Sequence, residues 1–165
     1  MTAGLVIREA GPADVPALAA FARLTYTRAF GASFAPADLA HHLAHRLSDA
    51  YFAEALRGDT ILLAFDGELI GFAQVGSGAD GEQIRRLYVH PERHGRGLGT
   101  TLMRAVLTLP RLQNATRVYL DVWEKNEGAR RLYERFGFCI VGTVPFVTPS
   151  GVVTGHDLLM MRPLR

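Results

Sequence analysis

Residues 84–103, IRRLYVHPERHGRGLGTTLM, restrict the possible folds of this chain more than any other stretch. The run opens as β-like sequence over 84–89, and Pro91 ends any strand because proline offers no amide to a ladder. Glycines stand at 95, 97 and 99, and a helical pattern begins at once. Leu98, Leu102, Ala105, Val106 and Leu109 lie at offsets of 0, 4, 7, 8 and 11, which is one face of an α-helix. Strand, glycine-rich turn and helix start together present free backbone N–H groups to an anion. The first helical turn has unpaired donors and a partial positive charge, and missing side chains let the anion come close. Arg93 and Arg96 add full positive charge beside it. His94, Gly95, Arg96, Gly97, Leu98, Gly99 and Thr100 therefore read as an anion-binding loop.

Two common phosphate loops do not fit. A P-loop needs Lys and then Ser or Thr after its last glycine, whereas Thr100 and Thr101 follow Gly99. The dinucleotide fingerprint fails at Thr100, and residues 90–94 separate the strand from the first glycine. Glycines that only shape a tight turn are the plainer alternative, which the second half of the chain lowers. His94-Gly95-Arg96-Gly97-Leu98-Gly99 resembles the pyrophosphate loop of the GCN5-related N-acetyltransferase (GNAT) family, Arg/Gln-x-x-Gly-x-Gly/Ala, with His at its first position. A second family block also matches, Asn126-x-x-Ala129-x-x-x-Tyr133-x-x-x-Gly137-Phe138, and the two together cover residues 82–138.

The resemblance implies one N-acetyltransferase domain over residues 1–165. It also implies an α/β (α+β) acyl-CoA N-acyltransferase fold, a mixed sheet of about six to seven strands flanked by about four helices. The implied cofactor is acetyl-CoA. Its pantetheine arm would pair with the strand near Leu87, Tyr88 and Val89, its pyrophosphate would sit on the loop over residues 94–100, and Asn126 would orient its amides. Tyr133 matches the family's tyrosine near the coenzyme sulfur, and a phenol that stays protonated at neutral pH can donate to a thiolate. Packing on the helix's apolar face is the plainer role for Tyr133, as helix capping is for Asn126.

Composition bounds the rest. A chain of 165 residues suits one domain with a substantial core, and 48% hydrophobic with 21% charged residues is globular. A net charge of +2 implies neither nucleic acid nor a membrane surface as partner. The lone Cys139 excludes an internal disulfide framework and fits a reducing compartment. No early apolar run resembles a signal peptide or spans a bilayer, so a cytoplasmic protein is expected. The expected partner is a small-molecule amine, with homodimerisation open.

Along the chain, residues 5–8 read as a first strand. Asp14 is placed to cap a helix carrying Val15, Leu18, Phe21 and Leu24 on one side. Pro36 opens a second helix with Leu39, Leu43 and Leu47, which continues, with a break allowed, to Leu56. His41 and His45 share its face without a third ligand, so solvent-facing histidines are expected and no metal. Residues 60–65 and 68–75 form a hairpin around Asp66-Gly67. In the strand that follows, the apolar alternation changes phase at Arg85 and Arg86, as a β-bulge would allow. The resemblance implies such a bulge, splaying this strand from the next. Residues 117–123 then form a strand, Asn126 leads a short helix ended by Gly137, and residues 138–147 and 156–161 supply the last strands.

Acetyl transfer needs a neutral amine, a donor for the developing oxyanion and a proton for the thiolate. Gln83 occupies the position where similar enzymes carry a carboxylate, which leaves Glu82 or a water chain as the base. Cys139, in an apolar strand, is no acyl carrier. Tyr26, Phe30, residues 122–126 and residues 155–162 resemble bacterial polyamine acetyltransferases, which implies a small amine, spermidine-like. The acidic residues 9, 14, 38, 49 and 54 are the few available to surround it in the N-terminal segment. A protein N-terminus or lysine, an amino acid and an aminoglycoside are alternatives, as is a non-catalytic acyl-CoA sensor.

Overall fold

The structure is a computed structural model and describes residues 4–164. Its centre is one seven-stranded sheet in the order β1-β2-β3-β4-β5-β7-β6. The strands are β1 (Val6–Glu9), β2 (Thr60–Asp66), β3 (Glu68–Ser77), β4 (Glu82–Val89), β5 (Arg117–Trp123), β6 (Cys139–Val147) and β7 (Val153–Pro163). Only β4 and β5 pair in parallel; every other neighbouring pair is antiparallel. The hairpin from β2 to β3 turns where Asp66-Gly67 predicts it, with Gly67 at φ 76, a conformation other residues avoid.

Six helices flank the sheet where about four were expected. They are α1 (Val15–Phe30), α2 (Pro36–Arg46), α3 (Asp49–Ala55), α4 (Leu98–Leu107), α5 (Pro110–Gln113) and α6 (Glu127–Arg135). One addition is the single turn of α5, which Pro110 starts. The other comes from the break at Leu47, where Ser48 caps α3 by accepting from Tyr51 N at 3.1 Å. Asp14 precedes α1 but does not cap it. Its carboxylate accepts from Gly11 N and from Arg8, which holds its pKa at about 2. Leu24 is 42% exposed rather than on the core face, because Ala22 and Tyr26 complete that face.

Strand alternation divides the core in two. Ile61, Leu63 and Phe72 face α1–α3 and pack with Leu18, Phe21 and Phe52. Leu62, Ala64, Val75 and Ile84 face α4–α6 with Leu102, Val106 and Leu120. Burying each such side chain contributes about 1.5–3 kcal/mol.

The bulge stands at the two arginines. Gln74 pairs with Arg86 and Val75 with Ile84, so Arg85 is the extra residue. A polar network fills the space it creates. Gln74 Nε2 donates to Asp59 at 2.7 Å and Arg85 Nε donates to the same oxygen at 2.9 Å. Arg86 Nη1 donates to Tyr51 Oη at 2.8 Å and to Gln74 Oε1 at 3.0 Å. Beyond the bulge, β4 leaves β5, since their ladder holds only Glu82, Gln83 and Ile84 against Val118, Tyr119 and Leu120. The result is a V-shaped gap in the sheet.

Asp59→Ala strips both Gln74 and Arg85 of their shared acceptor. Urea denaturation is expected to show a loss of about 1–3 kcal/mol, the cost of unsatisfied part-buried donors. An unchanged midpoint would mean that the network does not hold the bulge.

Candidate active site

The gap opens into a cavity of about 980 Å³ that passes through the sheet. Of the expected site residues, Leu87, Tyr88, Val89, His94, Asn126 and Tyr133 line it together. Glu82 and Gln83 are outside that lining. Glu82 is ion-paired with Arg111 at 2.7 Å, and Gln83 Oε1 accepts from Arg85 at 2.9 Å. Both are committed to holding the strand.

The edge of β4 is aimed by its pairing. His90 N donates to Ile70 O at 2.8 Å, so alternation makes Tyr88 the next residue bonded to β3. Leu87 and Val89 therefore turn their backbone groups toward the gap. Val89 O is taken by His94 Nε2 at 2.9 Å, which shows how His94 serves the loop, as a donor that folds it back onto the strand.

After His94 the chain makes two left-handed steps, Gly95 at φ 76 and Gly97 at φ 79, and α4 begins. A Cβ at either glycine would meet only open space. Among the described residues no acceptor takes the N–H groups of Gly95, Arg96 or Gly97, and Leu98, Gly99 and Thr100 form the first turn of α4, where N–H groups lack helical partners. Arg96 is exposed and makes no ion pair among the described residues, while Arg93 is held by Asp66 at 2.9 Å. A donor-rich nest of this kind fits a pyrophosphate. A Cβ at Gly99 would stand 3.1 Å from Leu132, so its smallness also brings α4 against α6.

Asn126 caps α6, its Oδ1 accepting from Ala129 N at 3.3 Å, which leaves its amide N–H groups to the cavity. Tyr133 is a buried residue of α6 whose ring meets Phe138 edge-on at 6.0 Å. Its hydroxyl makes no protein hydrogen bond, yet it is not sealed in, so it opens to the cavity it lines. Burial, and then the nearby Tyr88, push its pKa up, so the proton is retained at neutral pH.

On the other side of the sheet the cavity has an aromatic wall. His42 stacks on Tyr26 at 4.4 Å, Phe34 meets Phe146 at 5.7 Å, and Trp123 meets Phe146 at 5.6 Å. His42 is thus drawn into the wall rather than facing solvent, and burial lowers its pKa to about 4, so it is neutral. His41 and His45 are exposed as expected, and no group of metal-holding side chains occurs among the described residues. Asp121 and Asp157 also line this lobe, neither with an ion pair among the described residues. Burial raises both pKa values, and for Asp157 the charges of Asp121 and Glu124 add to it. Four of the five acids of the N-terminal segment are otherwise engaged, Asp14 with Arg8, Asp49 with Arg23, Glu54 with Arg57 and Asp38 with Ser150, and Glu9 at the end of β1 does not line the cavity. The two cavity carboxylates were missed in the sequence. The available signal was an acid alternating with Val118, Leu120 and Val122 on the strand beside the gap.

Comparison with known proteins decides the family. The model described as "Acetyltransferase (GNAT) family" matches residues 21–138. The chain belongs to the GNAT family. An uncharacterised N-acetyltransferase of Mycobacterium tuberculosis is 36% identical over 92% of this chain and 98% of its own length. An L-methionine sulfoximine/L-methionine sulfone acetyltransferase of Pseudomonas paraeruginosa is 33% identical, over 86% of this chain and 84% of that protein. A spermine/spermidine N(1)-acetyltransferase of Bacillus subtilis is 32% identical over 51% of this chain and 61% of that protein. The fold is shared with PaiA N-acetyltransferase of Thermoplasma acidophilum, solved with coenzyme A, at a TM-score of 0.82, 20% identity, and coverage of 97% of this chain and 99% of that one.

The GNAT family is one of N-acetyltransferases whose cofactor is acetyl-CoA, which carries a pyrophosphate. The two glycines of the motif separate in their expected effects. Gly97→Glu is expected to weaken acetyl-CoA binding by at least about tenfold in calorimetry, because it sets a carboxylate on the nest. Gly99→Val is expected to lower the melting temperature by pressing on Leu132. The reverse pattern would remove the loop from the site.

Proposed function

We propose that this protein transfers the acetyl group of acetyl-CoA directly to a primary amine of a small molecule. The observation that carries this reading is the single cavity joining donor-side His94, Asn126 and Tyr133 to acceptor-side Asp121 and Asp157 through the gap in the sheet. Bound acetyl-CoA supplies an activated thioester carbonyl. Leu87 and Val89 offer backbone N–H groups at the gap, where negative charge on an oxygen would be met. Asp121 lies on β5, the strand bordering the gap, and its unpaired carboxylate can take a proton from an ammonium. Its raised pKa brings it closer to the operating pH, as a general base requires. Tyr133, with its retained proton and free hydroxyl, is the donor to a departing thiolate.

These free groups favour catalysis over a sensing role, since a sensor needs neither base nor acid. The acceptor lobe also favours a small molecule. Asp38 of α2 accepts from Ser150 N at 3.1 Å and from Ser150 Oγ at 2.8 Å, tying the turn between β6 and β7 down beside the lobe. The names of the Pseudomonas and Bacillus relatives, one for an amino acid derivative and one for polyamines, fit small acceptors of either kind. The free thiol of Cys139 supports a cytoplasmic setting, and no helix among the described residues is long and apolar enough to cross a membrane.

Tyr133→Phe keeps the ring and deletes the donor. Acetyl-CoA affinity and melting temperature are expected to hold, while the single-turnover transfer rate falls about 10²-fold. Transfer at the wild-type rate in the saturated variant would make Tyr133 a packing residue only. Asp121 gives a pH test. A base must be ionised, so kcat/KM is expected to rise with pH through a pKa above the usual carboxylate value, and Asp121→Asn should abolish that limb. A persisting limb in the variant would assign the base elsewhere.

A further inference from the structure

The acceptor lobe is polarised, and its two poles do not neutralise each other. On one wall stands Arg86, part-buried and fixed by Tyr51 Oη at 2.8 Å, Gln74 Oε1 at 3.0 Å and Arg46 O at 3.2 Å. All three are neutral acceptors. Arg85 next to it has Asp59 as an ion-pair partner, but Arg86 has no carboxylate among the described residues. Arg28 of α1 and Arg46 of α2 line the same cavity, again without an ion pair. On β5 and β7, across the gap from β4, stand Asp121 and Asp157, also without an ion pair among the described residues. The rings of Tyr26, Phe34 and Trp123 lie in the same lobe.

Opposite charges sharing one cavity would normally pair, and Arg86 and Asp157, both half-buried, have lost part of their hydration. Here the arginine is anchored and the carboxylates are on strands across the gap, so no pair forms. A ligand carrying both signs would complete both walls at once. We infer that the acceptor is a dipolar amine, an amino-acid-like molecule with a carboxylate beside the reacting nitrogen and an apolar or aromatic side chain. The inference rests on the transferase reading and narrows it. Asp121 and Asp157 receive the ammonium, Arg28 and Arg46 with the anchored Arg86 receive the carboxylate, and the aromatic wall takes the side chain. A linear polycation would satisfy the acids but set further positive charge against three arginines, so the spermidine-like expectation is not favoured by this geometry.

The test compares acceptors that differ only by the carboxylate. Thiol release from acetyl-CoA by the full chain would be followed with a panel of L-amino acids that includes phenylalanine and methionine. The matched controls are phenethylamine and 3-(methylthio)propylamine, with spermidine beside them. At least one amino acid is expected to exceed its decarboxylated amine, and spermidine, by about tenfold or more in kcat/KM, the scale of one hydrogen-bonded charge. In the double variant Arg28→Gln, Arg46→Gln this preference should shrink about tenfold, with the melting temperature kept because both side chains are exposed and neither has a hydrogen bond or ion pair among the described residues. Turnover of spermidine or of the decarboxylated amines as fast as the amino acids overturns the inference and leaves the transferase reading standing. So does a preference unchanged in the double variant. Acetyl-CoA binding without thiol release to any amine overturns the transferase reading, and this inference with it.

Discussion

One extra residue in one strand governs this molecule. Arg85 occupies a position for which β3 has no partner, and from there on β4 cannot keep its parallel ladder with β5. A parallel pair that parts in mid-sheet leaves a row of backbone donors and acceptors unpaired, which a closed sheet would not tolerate. The structure compensates locally. The bulge is filled by Asp59, Gln74, Tyr51 and the two arginines, so that little strain passes to the ladder between β3 and β4, which stays paired as far as Val89. The unpaired edge is then available for a ligand that brings its own amides. The gap is also why the acceptor carboxylates and the tyrosine can share one cavity although they project from different layers.

The two ends of the cavity differ electrostatically, and for different reasons. Beyond His94, at the donor end, residues 95–100 lie outside the cavity lining, and there left-handed glycines and the first turn of α4 turn N–H groups outward. Of the side-chain charges there, Arg93 is neutralised by Asp66, and Arg96 has no ion pair among the described residues. The acceptor end owes its character to side chains that other parts of the fold have left unneutralised. The ion-paired acids of the N-terminal segment find their partners outside the lobe, so the field there comes from Arg28, Arg46, Arg86, Asp121 and Asp157.

That difference decides what could be read from the sequence. The donor end was legible because its elements are consecutive: strand, turn and helix lie within residues 82–107 and the spacing of glycines and leucines reports them directly. The bulge was legible as a phase change between Ile84 and Leu87. The acceptor lobe was not, because its contacts join distant segments. Asp38 meets Ser150 across 112 residues, and Phe34 meets Phe146 in the same way. Single residues misled for the same reason. The packing role of Gly99 was hidden, since its neighbour Leu132 comes from another helix. Asp14 stands at a capping position, but Arg8 and Gly11 hold its carboxylate. Even Ser48, which does cap a helix, depends on Leu47 being drawn into the core to end the helix before it.

The same division bears on how such a protein can change its substrate. A substitution in the loop over residues 94–100 acts on left-handed backbone and on N–H groups that no side chain can replace, so few alternatives preserve it. The acceptor lobe is a wall of separate side chains on α1, α2, β5 and the β6–β7 hairpin, none of which the donor loop contacts through a bond. Exchanging Phe34, Arg46 or Asp157 would alter the sign and shape of that wall and leave the bulge network and the loop intact, because effects at sites without shared partners are close to additive. Charge in the lobe is also cheap to change. Asp157 carries no ion pair that its loss would orphan, and its removal would relieve the like charge of Asp121. Donor binding and acceptor choice are in this sense separate properties of one cavity, joined only where Arg85 opens the sheet.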